Sequence, residues 1–137
     1  MSKQSDDRTQ IYMAHFSGSG YDEPIQLGPE VNLYHNNSHP CIAPDESYLI
    51  YDAQPQSPTS YDGCLFISFK NEDGTWSKGR RLPGGVNAGN DPICASVTPD
   101  GKYMLWSQGM DIYWVEARLI EEMRRIPSCR DSIWWIQ

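Results

Sequence analysis

The chain has 137 residues, room for one ordinary domain and not for two large ones. Eleven Lys and Arg against 18 Asp and Glu leave a net charge of −7, and without a basic cluster this argues against a surface for phosphate backbones or anionic lipid. Hydrophobic residues are only 39% of the chain, but 12% are aromatic, and the 10 Pro and 11 Gly exclude a long-helix protein in favour of short elements joined by turns.

Residues 1–8 are polar and read as a disordered N-terminus. They hold no apolar stretch, so no signal peptide is expected and the chain as written stays in the cytoplasm. A periplasmic location would need an upstream portion with such a signal. No run approaches the ~20 apolar residues of a membrane span.

From residue 9 onward the chain matches itself at one offset. Leu27-Gly28-Pro29-Glu30-Val31-Asn32 aligns with Leu82-Pro83-Gly84-Gly85-Val86-Asn87, an offset of 55 (82 minus 27). Ile42 to Tyr51 aligns with Val97 to Trp106 at the same offset, and Ile11-Tyr12-Met13-Ala14 resembles Phe66-Ile67-Ser68-Phe69. A period near 50 residues marks a propeller blade or a solenoid unit.

Within a unit the pattern is one of short strands. Pro44-Asp45-Glu46-Ser47 is a turn without glycine, which implies another turn type or mild strain. Cys64 to Lys70 has strand composition. Asn71-Glu72-Asp73-Gly74 closes a hairpin, and Thr75-Trp76-Ser77 begins a fourth strand. Arg80 and Arg81 read as a solvated pair on a strand edge that discourages aggregation. Cys94 to Val97 and Tyr103 to Ser107 flank the Pro99-Asp100-Gly101 turn. Asp111 to Glu116 is the last strand. Leu119, Ile120, Met123 and Ile126 then fall at helical spacing, so a short amphipathic helix is expected over 117–126, stopped by Pro127. The tail, 127–137, carries Ile133-Trp134-Trp135-Ile136 and is read as docking on a blade face. The expected fold is all-β: a partial β-propeller of two to three four-stranded antiparallel blades over 9–116, with a short C-terminal helix.

Pro99-Asp100-Gly101-Lys102-Tyr103, Asp111-Ile112-Tyr113-Trp114-Val115 and the Leu-Gly-x-x-Val-Asn linker at Leu27 to Asn32 resemble the TolB-type, WD-like β-propeller repeat of bacteria. The stretch Asp111 to Arg124 is similar to the C-terminal end of such proteins, where a helix follows the last blade. The resemblance covers residues 9–126 and implies a fold more than a function, because this repeat serves partner binding, sensing and the non-catalytic parts of peptidases. Such propellers close with roughly four to eight blades. The chain therefore reads as the C-terminal portion of a larger propeller or as a piece that assembles with other copies.

Catalytic constellations are missing from the sequence. Ser17-Gly18-Ser19-Gly20 is a Gly/Ser loop and not a nucleophile elbow. No phosphate loop or dinucleotide fingerprint occurs. Asp45 and Asp100 occupy equivalent turn positions, which gives them a structural reading. Cys41, Cys64, Cys94 and Cys129 form no Cys-x-x-Cys pair and read as buried free thiols. His35, His39 and Cys41 alone have metal-like spacing. His39 precedes Pro40 and no third ligand is evident, so loop polarity is preferred and no metal or cofactor is expected. Asn36-Asn37-Ser38 fits a glycosylation sequon, to which a protein of bacterial type gives little meaning. In a propeller, Tyr34 to His39 would link one blade to the next innermost strand, near the axial face. His35, Asn36, Asn37 and His39, with Asn87, Asn90 and Asp91, make the candidate ligand-binding set. The function expected is a non-enzymatic module for a protein, peptide or other ligand, with self-association through open edges and no nucleic acid. The alternative is the propeller portion of an enzyme, either a prolyl-oligopeptidase-like peptidase or a metal-assisted polysaccharide lyase.

Overall fold

The computed structural model describes residues 8–54, 63–89 and 91–126. The readings placed on residues 1–7, Asn90, Cys129 and the tail 127–137 fall outside them. Within the described residues the chain forms three antiparallel sheets and one short helix, so the structure is mostly β. β1 (Tyr12–Met13) and β2 (Ile25–Gln26) make a two-stranded ribbon. β3 (Asn36–Ile42), β4 (Tyr48–Gln54), β5 (Cys64–Phe69) and β6 (Arg80–Arg81) pair in chain order as a four-stranded meander. β7 (Ile93–Val97), β8 (Tyr103–Gln108) and β9 (Asp111–Glu116) form a three-stranded one. α1 (Arg118–Arg125) follows directly. No helix among the described residues is long and apolar enough to cross a membrane.

β4 and β5 are apolar on both faces because each face meets a different core. Successive strand residues point to opposite sides. Ile50, Leu65, Ile67 and Phe69 join a cluster with Leu82, Val86, Met104, Trp106 and the α1 residues Leu119, Ile120 and Met123. Leu49, Tyr51, Ala53, Cys64 and Phe66 join the other, with Ile11 and Val31. Ile50, Leu65 and Ile67 have no exposed surface, and each such side chain contributes roughly 2–3 kcal/mol.

The same backbone devices occur in the two larger sheets. Ala43 N–H donates to Tyr48 O at 3.0 Å and Thr98 N–H to Tyr103 O at 2.9 Å. Asp45 Oδ1 accepts from Ser47 N–H at 3.0 Å, and Asp100 Oδ1 from Lys102 N–H at 3.1 Å. The turn without glycine is therefore of the same kind as the turn with it, and the strain lies at Glu46, whose φ of 60 stands where Gly101 has 73. Lys70 Nζ lies 2.7 Å from the Glu46 carboxylate.

An asparagine clamp recurs as well. Asn87 Oδ1 accepts from Leu65 N–H, while its amide donates to Leu65 O and Leu82 O, all within 3.0 Å. Asn32 does the same to Ile11 N–H, Ile11 O and Leu27 O, within 3.1 Å. The strand match differs by one residue from that read in the sequence: Ile11 takes the place of Leu65 and not of Phe66. The stretch from Leu65 to Leu82 is one residue longer than that from Ile11 to Leu27, which shifts the offset there to 54 (65 minus 11).

Arg80 is not the solvated edge residue that its sequence suggests. Its guanidinium donates to Ile126 O at 2.8 Å and to Met123 O, two carbonyls at the C-terminal end of α1. It also lies 5.5 Å from the centre of the Phe69 ring. Carbonyls of a last helical turn have no partner inside the helix, so a cation there both bonds them and meets the negative end of the helix dipole. Arg81 remains exposed.

Candidate functional site

β3 and β7 are the first strands of the two larger meanders, and each is interrupted by a bulge. The pairing register shifts between Ser38 and Cys41 on β3 and between Ile93 and Ser96 on β7. His39 has φ 45 and Cys94 has φ 56, both in the left-handed region, and the two are 55 positions apart (94 minus 39). A non-glycine residue held there costs on the order of 1–3 kcal/mol, and such strain gathers at functional sites.

Asp52 of β4 joins the two bulges. Its Oδ1 lies 2.8 Å from His39 Nδ1 and accepts from Cys94 N–H at 3.2 Å. The carboxylate is buried, whereas the His39 side chain is half exposed. Two residues on, Gln54 Nε2 donates to Asp91 Oδ1 at 3.4 Å. Asp91 also has a left-handed φ, of 56. Glycine is required beside it: a Cβ on Gly63 would sit 2.0 Å from Asp91 Oδ1. His39, Asp52, Gln54, Asp91 and Cys94 thus form one polar group where β3, β4 and β7 meet.

The electrostatics follow from burial. Desolvation pushes the Asp52 carboxyl above its ordinary range, and the Asp91 charge adds to this. The Cys94 amide and His39 pull it back. The Cys94 thiol is also pushed up, by desolvation and then by Asp52, so it stays a thiol near neutral pH and is a poor nucleophile. In the neutral imidazole, a proton on Nδ1 is fixed by Asp52, which leaves Nε2 to accept from a ligand. The arrangement can orient one hydrogen-bonding imidazole beside a buried carboxylate. Among the described residues no group of three His, Cys, Asp or Glu side chains stands in the geometry of a metal site.

Of the residues singled out in the sequence, His39 and Asp91 lie in this group. The other described ones are engaged elsewhere. Asn36 Oδ1 accepts from Thr9 N–H at 3.4 Å. Asn37 is fully buried, and its side-chain amide donates to Tyr34 O at 2.7 Å. Asn87 is the strand clamp. His35 offers its carbonyl to Gln10 Nε2 at 3.2 Å. Of the cysteines described, only Cys64 is buried; Cys41 is half-buried and Cys94 is exposed.

Asp52, Gln54 and Cys94 were not singled out as ligand residues. Two signals for them exist in the sequence. Asp52 is the one charged residue in the apolar run Tyr48-Leu49-Ile50-Tyr51-Asp52-Ala53, and Cys94 stands at the 55-residue offset from His39. Comparison with protein-family models finds no match for this chain, and comparison with curated proteins finds none.

Proposed function

We propose that the chain is part of a β-propeller of the TolB-type, WD-like kind and serves as a binding module without chemistry of its own. The meanders would be its blades, with β3 and β7 as inner strands. The observation that carries the reading is the convergence of the equivalent bulges at His39 and Cys94 on one buried carboxylate, Asp52. Two blades then contribute to a single polar mouth, with the His39 imidazole and the Asp91 carboxylate offered to a small polar ligand or a peptide end. The high Cys94 thiol supports binding over covalent catalysis.

The His39–Asp52 pair favours one other reading, the propeller portion of an enzyme. A histidine oriented by a carboxylate is the usual form of a general base. A nucleophile or a hydrolase partner would have to come from outside the described residues.

Amide chemical shifts of the labelled chain, titrated with short peptides and acidic sugars, test the first reading. A ligand of this mouth shifts the amides of His39, Gln54 and Cys94, and Asp52→Asn removes the effect. Shifts confined to other surfaces would overturn the site. Turnover of a peptide or polysaccharide that is lost in His39→Ala would replace it by the enzyme reading.

A further inference from the structure

We propose that the open edge of β9 is a docking site for a segment of another polypeptide carrying Leu-x-x-x-Val-Asn with a basic approach. Tyr48 pairs with Phe69 and Tyr103 with Glu116, so β9 holds in its sheet the place that β5 holds in its own. Leu65, Phe66 and Ile67 correspond to Ile112, Tyr113 and Trp114. On β5 these residues are covered: β6 pairs with Phe66 and Ile67, and Asn87 clamps both backbone groups of Leu65. On β9 no strand pairs with the outer edge among the described residues, and Ile112 is 72% exposed and Trp114 65% exposed. Helix α1 does not cover them. It packs in the cluster of Phe69 and Leu82 and is tied to Arg80.

What covers such an edge is shown twice in this chain. In Ile25 to Asn32 and in Arg80 to Asn87, a two-residue strand pairs with the edge, then a Leu N–H donates to the carbonyl that the Asn also binds. The Val, Val31 or Val86, is buried beside it, and the Asn closes the clamp. Both covering segments have the sequence Leu-x-x-x-Val-Asn. By the register of β9, Ile112 turns its N–H and carbonyl to the open edge, where the Asn of an incoming segment would bind.

Charge selects among occupants. β9 begins with Asp111 and ends with Glu116. A second copy pairing antiparallel through the same edge would bring these acids together in a chain of net charge −7. In the β5–β6 register, the residue of an incoming segment that corresponds to Lys78 falls beside Glu116, whose carboxylate also holds Arg118 at 2.9 Å, and a cation there adds to that pairing, while the Arg80 and Arg81 positions fall opposite Trp114 and Tyr113. Strand addition to an exposed edge is a common mode of peptide recognition, with main-chain bonds for affinity and side-chain contacts for specificity.

The probe is a fluorescent peptide with the sequence of residues 78–87, titrated into the full chain and read by anisotropy. Saturable binding is expected, at least tenfold weaker when the Asn of the peptide is Ala. Trp114→Ser in the chain should weaken it by a similar factor, and Ile112→Pro, which removes an edge-facing N–H together with the exposed Ile side chain, by as much. Circular dichroism checks that both variants remain folded. No saturable binding, or binding indifferent to the peptide Asn, overturns the proposal. A dimer in light scattering that Trp114→Ser abolishes would give the edge to a second copy instead. Binding seen only after Trp134 and Trp135 are both replaced by Ser would give it to the tail of the chain itself.

Discussion

Leu65 and Ile67 on β5 have no exposed surface, while Ile112 and Trp114, which hold the same register on β9, are 72% and 65% exposed. The residue types do not account for the contrast, since all four are large and apolar. Neighbours do. β5 has a strand on each side and a core cluster on each face, whereas among the described residues β9 has a strand on one side only. In stacked meanders each sheet is stabilised by what lies next to it, so the last sheet described carries apolar surface in excess of its contacts.

The contrast is broken most directly by truncating matched positions. Ile67→Ala should cost about 3–4 kcal/mol in urea unfolding, because it opens a cavity between two packed layers. Trp114→Ala should cost less than about 1 kcal/mol, the worth of its edge-to-face contact with Tyr103, 5.2 Å away. Equal losses would mean that β9 is buried in solution, and the contrast would fall.

The clamps give a second pair. Asn87→Ala removes the Asn87 side-chain partner of the N–H of the fully buried Leu65 and of the Leu82 carbonyl, while Leu65 O keeps its bond from Leu82 N–H. Unsatisfied buried groups cost about 1–3 kcal/mol each, so a total near 3 kcal/mol is expected. Asn32→Ala acts on Ile11 in the more exposed ribbon, where water can replace part of the bonding, and about 1 kcal/mol is expected. Thermal melting of the two variants side by side decides the order. A larger loss in Asn32→Ala would show the ribbon, not the four-stranded sheet, to be the part most dependent on its clamp.

The strands, the turns and the helix were legible because their signals are local. Asp111 to Glu116 coincides with β9, and the helical spacing after it ends at α1. The equivalence of Asp45 and Asp100 was legible from the offset alone. The site was not, since it depends on which strands meet. His39 could be suspected from its position in a linker, but nothing local tells that a carboxylate 13 residues on will hold it. Nor does the sequence separate Asn87 as a ligand group from Asn87 as a clamp, because the same amide serves either end. Arg80 shows the same limit: an Arg pair on a short strand looks solvated until a helix from far along the chain ends against it.

The site allows a prediction about pH. The folded Asp52 carboxyl is held above its ordinary 3.8, mainly by desolvation. The folded protein therefore takes up this proton at a higher pH than the unfolded chain does. The contribution of Asp52 to stability is largest below 3.8 and declines as pH rises through the raised value. Asp45, Asp73 and Asp100 have the opposite sign, held low by hydrogen bonds to their side-chain and backbone neighbours. Their support is present above 3.8 and is lost as the medium is acidified. Because those turns are common to wild type and Asp52→Asn, the difference between the two isolates the buried group. Wild type should lose ground to Asp52→Asn as pH rises from below 3.8 through the raised value. A pH-independent difference in melting temperature would show that Asp52 is not desolvated.

The two turns offer the smallest and sharpest comparison. Gly101 carries φ 73 without steric cost, while Glu46 carries φ 60 with a Cβ in place. Lys70, 2.7 Å from the Glu46 carboxylate, offsets part of that strain, and its counterpart beside Gly101 is Ala117. The correspondence is fixed by two bonds: Lys70 N–H donates to Ser47 O, and Ala117 N–H to Lys102 O. Gly101→Ala should therefore cost about 1 kcal/mol, since the Cβ introduces strain with no cation to offset it. Glu46→Gly should leave the melting temperature nearly unchanged, because relief of strain is balanced by the lost ion pair and a more flexible unfolded chain. In a Lys70→Met background the ion pair is already gone, and the same Glu46→Gly exchange should raise the melting temperature. If it lowers the melting temperature in that background, the left-handed conformation at Glu46 carries no strain, and the two turns differ in sequence but not in energy.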